Sequence, residues 1–228
     1  MEYVDKAKNV SIDKTCIVSN DTKIGEGSKI DPFVILGFST GRKIKKTNLE
    51  IGNNSHIRSH SVIYQGSKIG ENFETGHNVV IREEVEIGNN CKIWSNVYID
   101  YQTKIGNDVH IMEGAEIFER SRIGDNIFIG PNSILINSFH PECKYEKKCM
   151  KGPIIKKNVN IGGNCVILPR VVINENSLIG AGSVVTKDVP KNSVVIGNPA
   201  KICGSIFDLK CKTKLNPMGK PYKKSNLG

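Results

Sequence analysis

The chain has 228 residues, of which 38 % are hydrophobic and only 6 % aromatic, with 22 Gly, 7 Cys and a formal net charge of +9. That length suits one ordinary domain with a core built from aliphatic side chains, and no apolar run approaches the roughly 20 residues of a membrane span. The charge is uneven: from Lys201 onward seven Lys accompany a single acid, Asp208, so the rest is near balance and no nucleic-acid partner is expected. The N-terminal residues mix acids and bases and lack the apolar stretch of a signal peptide, which predicts a cytoplasmic protein.

The N-terminal segment sets a pattern: Ile12, Val18, Ile24, Ile30 and Leu36 are spaced by six. After an interruption the spacing resumes at Ile51 and runs through Ile57, Ile63, Ile69, Thr75, Ile81, Ile87, Ile93, Ile99, Ile105, Ile111, Ile117, Ile123 and Ile129 to Leu135. A third stretch holds Ile155, Ile161, Ile167, Ile173, Ile179 and Val185, so 25 of these 26 positions are aliphatic and Thr75 is the exception. A period of six is neither the 3.6 of a helix nor the simple alternation of a long strand. It predicts short strands separated by turns. Gly follows the repeat position in eleven hexads, Thr75 among them, and Asn stands two places further on at Asn54, Asn72, Asn90 and Asn126; both tolerate the positive φ of a corner. Four residues after the aliphatic position comes a small or β-branched residue, as in Ser55, Ser61, Val79, Val97, Thr103 and Ala115. Each hexad therefore sends one large and one small side chain inward.

Three hexads close a triangular coil of 18 residues, and successive coils pair as parallel strands about 4.8 Å apart. The prediction is an all-β fold of about eight coils, with loop insertions over 38–50 and 137–154 and a basic tail over 205–228. Cys16, Cys91 and Cys165 fall on the small inward position, where a thiol packs as a small hydrophobe. Cys143 and Cys149 lie in a loop, and Cys203 and Cys211 near the tail. The odd total without a CxxC pair speaks against a zinc ribbon or a disulfide scaffold.

The insertions are where such a repeat serves something besides folding. The first carries Arg42, Lys43, Lys45 and Lys46 and suits either a solvated excursion or a flap that touches a phosphorylated or nucleotide-linked substrate on a neighbouring subunit. The second contains Asn137-Ser138-Phe139-His140-Pro141. It is followed by Ile161-Gly162, by Ile179-Gly180-Ala181-Gly182-Ser183-Val184-Val185-Thr186-Lys187-Asp188-Val189-Pro190 and by Gly197-Asn198-Pro199-Ala200-Lys201. In this order these segments resemble the hexapeptide-repeat acetyltransferases that act on galactosides, maltose and xenobiotics.

The resemblance implies a left-handed parallel β-helix, a homotrimer with its active site between two subunits, and acetyl-CoA as co-substrate. It implies His140 as the catalytic base, because a hydroxyl attacking a thioester must lose a proton and an imidazole titrates close to neutrality. By the same resemblance Ala181, Gly182 and Ser183 contact the pantetheine arm, and Thr186, Lys187 and Lys201 lie near the nucleotide phosphates, with Arg170 as a further candidate. A sugar or nucleotide-linked sugar is the implied acceptor.

A second branch is also similar. Lys92-Ile93-Trp94-Ser95-Asn96-Val97-Tyr98-Ile99 and Asn126-Ile127-Phe128-Ile129-Gly130-Pro131-Asn132 resemble the enzymes that acetylate 3-amino groups of nucleotide-linked sugars. There an amine is its own nucleophile, and Glu113 or Gly114 falls where an Asn helps position it. Glu113 is thus a second catalytic candidate, able to hold an ammonium or orient His140, and Asn137 and His77 are candidate substrate contacts. On 18-residue stacking Ser59, His77, Ser95, Glu113 and Pro131 form one column, while Asn78, Asn96 and Asn132 form a turn ladder. A γ-carbonic-anhydrase-like site is disfavoured, since His56 and His60 have no upstream partner. A β-helix scaffold without catalysis is the remaining alternative.

Overall fold

The computed structural model describes residues 5–210; Cys211 and the tail from 211 to 228 lie outside the described residues. Strands of mostly two residues form three sheets of nine, eleven and nine strands, and consecutive strands fall on successive sheets. Within the coils all pairing is parallel, as in Lys68↔Glu86, Glu74↔Lys92 and Val80↔Tyr98, each pair 18 residues apart. The result is a left-handed triangular β-helix. The described residues make nine complete coils, where the repeat predicts about eight. The first coil opens with Asp5–Lys6, where Lys6 pairs with Ile24 but breaks the aliphatic signal that begins at Ile12.

Every one of the 26 hexad positions lies in a strand. From Ile24 onward all of them are buried, and only Ile12 and Val18 of the N-terminal coil are partly exposed. The small inward positions are less apolar than expected. Ser67 donates to the Arg82 carbonyl at 2.8 Å and Ser133 to Gly162 at 2.9 Å. The Cys91 and Cys165 thiols do the same to Gly106 at 3.1 Å and Gly180 at 3.2 Å, with burial pushing the Cys91 thiol up to about 11. These bonds pair the inward polar atoms of the small positions with main-chain carbonyls. Asn side chains ladder down the corner between the first and second faces, for example Asn158 to Asn176 at 2.9 Å and Asn176 to Asn192 at 3.0 Å. The Asn78 to Asn96 bond of 3.3 Å supports the second expected ladder.

Thr75 is more than a gap in the repeat. Its hydroxyl accepts from the Arg58 amide at 2.8 Å, taking the place of a main-chain carbonyl. Phe73, two residues earlier and fully buried, occupies a position that is small in other coils, so bulk moves from one inward site to the next. Thr75→Val keeps the shape but removes the acceptor. It is expected to cost about 1–3 kcal/mol, read as a lowered urea midpoint.

The outward residues distinguish the three faces. Lys23, Glu50, Lys68, Glu86, Lys104 and Arg122 follow one another on the first face. On the third face the same register holds Ile17, Ile35, Val62, Val80, Tyr98, Glu116, Ile134, Val166 and Val184, an apolar stripe with one charge. The helix ends in an antiparallel hairpin of Ser193–Gly197 and Ala200–Ser205, with Ile206 buried behind it. Among the described residues no helix is long and apolar enough to cross a membrane.

Candidate functional site

Both insertions leave the helix at the same corner, between the third and first faces, one after Ile35–Phe38 and the other after Ile134–Leu135. The second insertion is anchored along its length. Lys151 N–H donates to the Asn137 carbonyl at 2.8 Å, which closes the loop at its base. A short helix, Glu146–Cys149, holds the loop's turn: the Glu146 carboxylate accepts from Ser138 Oγ at 3.2 Å and from the Glu142 amide at 3.3 Å. Arg170 donates through Nε and Nη2 to the Cys149 carbonyl at 3.1 and 2.8 Å. Its guanidinium is thus engaged on the loop. His140 is exposed next to Phe139, their ring centroids 6.1 Å apart.

On the opposite edge of the third face, hydrogen bonds from Asn96 to His77, Asn132 to Glu113 and Gly182 to Gly163 extend the expected column as Ser59, His77, Ser95, Glu113, Pro131, Gly163 and Ala181. His77 is tied into it, its Nδ1 3.2 Å from Ser59 Oγ and its amide donating to Ser95 Oγ at 3.0 Å. Glu113 is exposed. Ala181 and Gly182 are exposed at the C-terminal end of the column, and Gly182 has φ +71° with no atom within 4 Å of where a Cβ would stand. That open strip admits a narrow chain. Ser183 is fully buried, and its hydroxyl joins the Gly180 carbonyl to the Gly197 amide. Lys201 is exposed on the hairpin, paired with Ile196.

The eleven predicted residues therefore divide. His77, Glu113, Ala181, Gly182, Ser183 and Lys201 lie along one edge of the third face, and Asn137, His140, Arg170, Thr186 and Lys187 along the other. At about 3.3 Å per residue, the five or six residues of one side separate the edges by about 17 Å. Within one chain Glu113 is not brought to His140. Two cavities lie elsewhere and hold none of these residues: one of about 450 Å³ under the first insertion, lined by Lys45, Lys46, Lys68, Glu84 and Lys104, and one of about 250 Å³ on the second face, lined by His110, Phe128, Asn160 and Ile206.

A charged cluster between the insertions was not anticipated from the sequence. Glu83, Tyr101 and Glu119 stack at the corner in successive coils, and Glu83 is fully buried while Glu119 is 8 % exposed. Arg42 of the first insertion lies 4.3 Å above the Tyr101 ring and 3.4 and 3.8 Å from Glu83 and Glu119. Burial lifts the Glu119 carboxyl above its ordinary value against the pull of Arg120 and Arg42. Stacking the sequence at 18 residues exposes two acids and a Tyr in one corner column, which was the available signal. The paired histidines of the N-terminal coils have structural partners: His56 Nε2 lies 3.0 Å from Asp31, and His60 stacks on Phe33 at 5.1 Å.

Residues 66–100 and 152–187 match the family described as bacterial transferase hexapeptide, six repeats. Both matched segments lie within the hexad coils. A Staphylococcus aureus (strain Mu50) protein provisionally named an acetyltransferase is 49 % identical over 72 residues, which make up 31 % of this chain and 35 % of that protein. The galactoside O-acetyltransferase of Lactococcus lactis is 38 % identical over 95 residues, 38 % of this chain and 44 % of that one. The chain thus spans under half the length of these curated relatives. Among solved structures, a UDP-N-acetylglucosamine acyltransferase from Bacteroides fragilis superposes with a TM-score of 0.68 at 22 % identity, covering 85 % of this chain and 74 % of that chain. That likeness is one of fold.

Proposed function

We propose that this hexapeptide-repeat protein transfers an acetyl group from acetyl-CoA to a sugar or nucleotide-linked sugar, with His140 as general base when the acceptor is a hydroxyl. The hydroxyl oxygen forms the new bond to the acetyl carbon as the C–S bond breaks. His140 takes the hydroxyl proton and passes it to the departing thiolate. The observation that carries this reading is the loop, closed at Asn137, that presents the exposed His140 imidazole immediately before the last two coils. The names of the matched relatives, acetyltransferases in both cases, support the same chemistry.

The division of the site residues between two edges supports a homotrimer. Contact through the apolar third face brings the His140 edge of one copy towards the Glu113 and Ala181 edge of the next, and removes from water a stripe that a monomer leaves exposed. The pantetheine arm then runs along the open strip at Ala181 and Gly182, with Thr186, Lys187 and Lys201 beside the phosphates. Acetyl-CoA at about 100 times its dissociation constant is expected to stabilise the protein by about 2.7 kcal/mol, seen as a rise in melting temperature. No rise at saturation defeats the transferase reading. A thiol-release assay across sugars, amino sugars and nucleotide sugars then identifies the acceptor.

A further inference from the structure

The cluster around Tyr101 links the two insertions. Arg42 reaches from the first insertion along the helix to the coils of Tyr101 and Glu119, although its side chain is 46 % exposed. Among the described residues Glu119 has two ion partners, Arg42 at 3.8 Å and Arg120 at 3.9 Å. Arg120 faces the same ring at 5.9 Å, and its Nη1 donates to the Met150 carbonyl at 3.4 Å, just past the short helix of the His140 loop. Arg120 is therefore shared between a buried carboxylate and the loop.

We propose that the first insertion is a strap that positions the His140 loop, acting through Arg42, Glu119 and Arg120. The physical basis is competition for Arg120. A carboxylate buried at the corner needs compensating charge. With Arg42 seated on Tyr101, Glu119 has a second cation and Arg120 is free to hold Met150. Without Arg42, Arg120 is drawn onto Glu119 and the Met150 contact weakens. Arg170 still grips Cys149, so the loop loosens without being released. Arg42 and Arg120 are positioning residues: both act through the loop that carries His140.

Hydrogen exchange read by mass spectrometry on the full chain tests this, comparing the parent with Arg42→Ala, Arg120→Ala and the double variant. Loop amides that are bonded in the structure, Cys149 to Tyr145, Met150 to Glu146 and Lys151 to Asn137, report on the loop. Arg42→Ala is expected to speed their exchange by roughly fivefold, the weakening of one charge-assisted bond, with the coils unchanged. The double variant is expected to match Arg120→Ala. Faster exchange confined to 38–50, or effects that multiply in the double variant, overturns the proposal. If Arg42→Ala does not fold, Arg42→Gln removes the charge and keeps most of the length and a polar tip; parent-like loop exchange in that variant also overturns it.

The functional meaning of the strap rests on the acetyl-transfer reading, and is seen as a several-fold lower kcat with an unchanged KM for acetyl-CoA. Should the parent release no thiol with any acceptor, the transferase reading fails while the exchange data still decide the strap.

Discussion

With a hydroxyl acceptor, His140→Ala is expected to lower kcat by about 10²–10⁴-fold, the range supplied by a positioned general base. The loop is fixed by the Asn137–Lys151 closure and by the Arg170 clamp on Cys149, and none of these contacts uses the His140 side chain. The substitution therefore removes the proton acceptor and leaves the loop standing. The acetyl-CoA thermal shift of the variant is expected to equal that of the parent, which separates lost chemistry from lost binding. With an amine acceptor the outcome differs, because a neutral amine attacks without a base. A near-normal rate on an amino sugar would assign the chain to amine acetylation and place the weight on Glu113, whereas a near-normal rate on a hydroxyl acceptor would sink the general-base role outright.

The regular part of the fold was readable because burial repeats with the hexad. Any register slip would expose a whole row of Ile, so Ile51 to Leu135 alone fixes the strands, and Gly and Asn fix the corners. Residues outside the period escaped. Lys6 gives no aliphatic signal, which hides the first strand, and Phe73 offsets Thr75 through volume rather than pattern.

The candidate site was legible as a set of residues and not as an arrangement. Stacking at 18 residues gave the His77 and Glu113 column but not the fact that the His140 loop departs from the opposite edge. Arg42 reads as one more cation in a basic insertion, and Arg170 as a further phosphate candidate on an exposed corner. Both are held by contacts between segments far apart in sequence, Arg42 with Glu83 and Glu119 and Arg170 with Cys149, which no local pattern announces.

The largest expected loss of stability comes from Gly88→Ala. Gly25, Gly52, Gly70, Gly88, Gly106 and Gly124 stack at the corner after the first face, and a Cβ at Gly88 would stand 2.7 Å from both the carbonyl carbon and the oxygen of Gly106. A flexible side chain could turn away, but this neighbour is backbone held by its own ladder: Gly88 N–H donates to Ile105 at 3.0 Å and Gly106 N–H to Ile123 at 2.8 Å. Admitting the methyl group means prising two coils apart at the corner, which stretches those bonds and unseats Ile87 and Ile105 beneath them. The cost is expected at or above the upper end of ordinary overpacking, about 3 kcal/mol. Gly41→Ala, in the first insertion with nothing within 4 Å of its Cβ position, is expected to stay within about 0.5 kcal/mol of the parent. Urea unfolding of the two variants side by side measures the difference, and equal midpoints would mean that coil spacing at this corner is not set by the absence of a side chain.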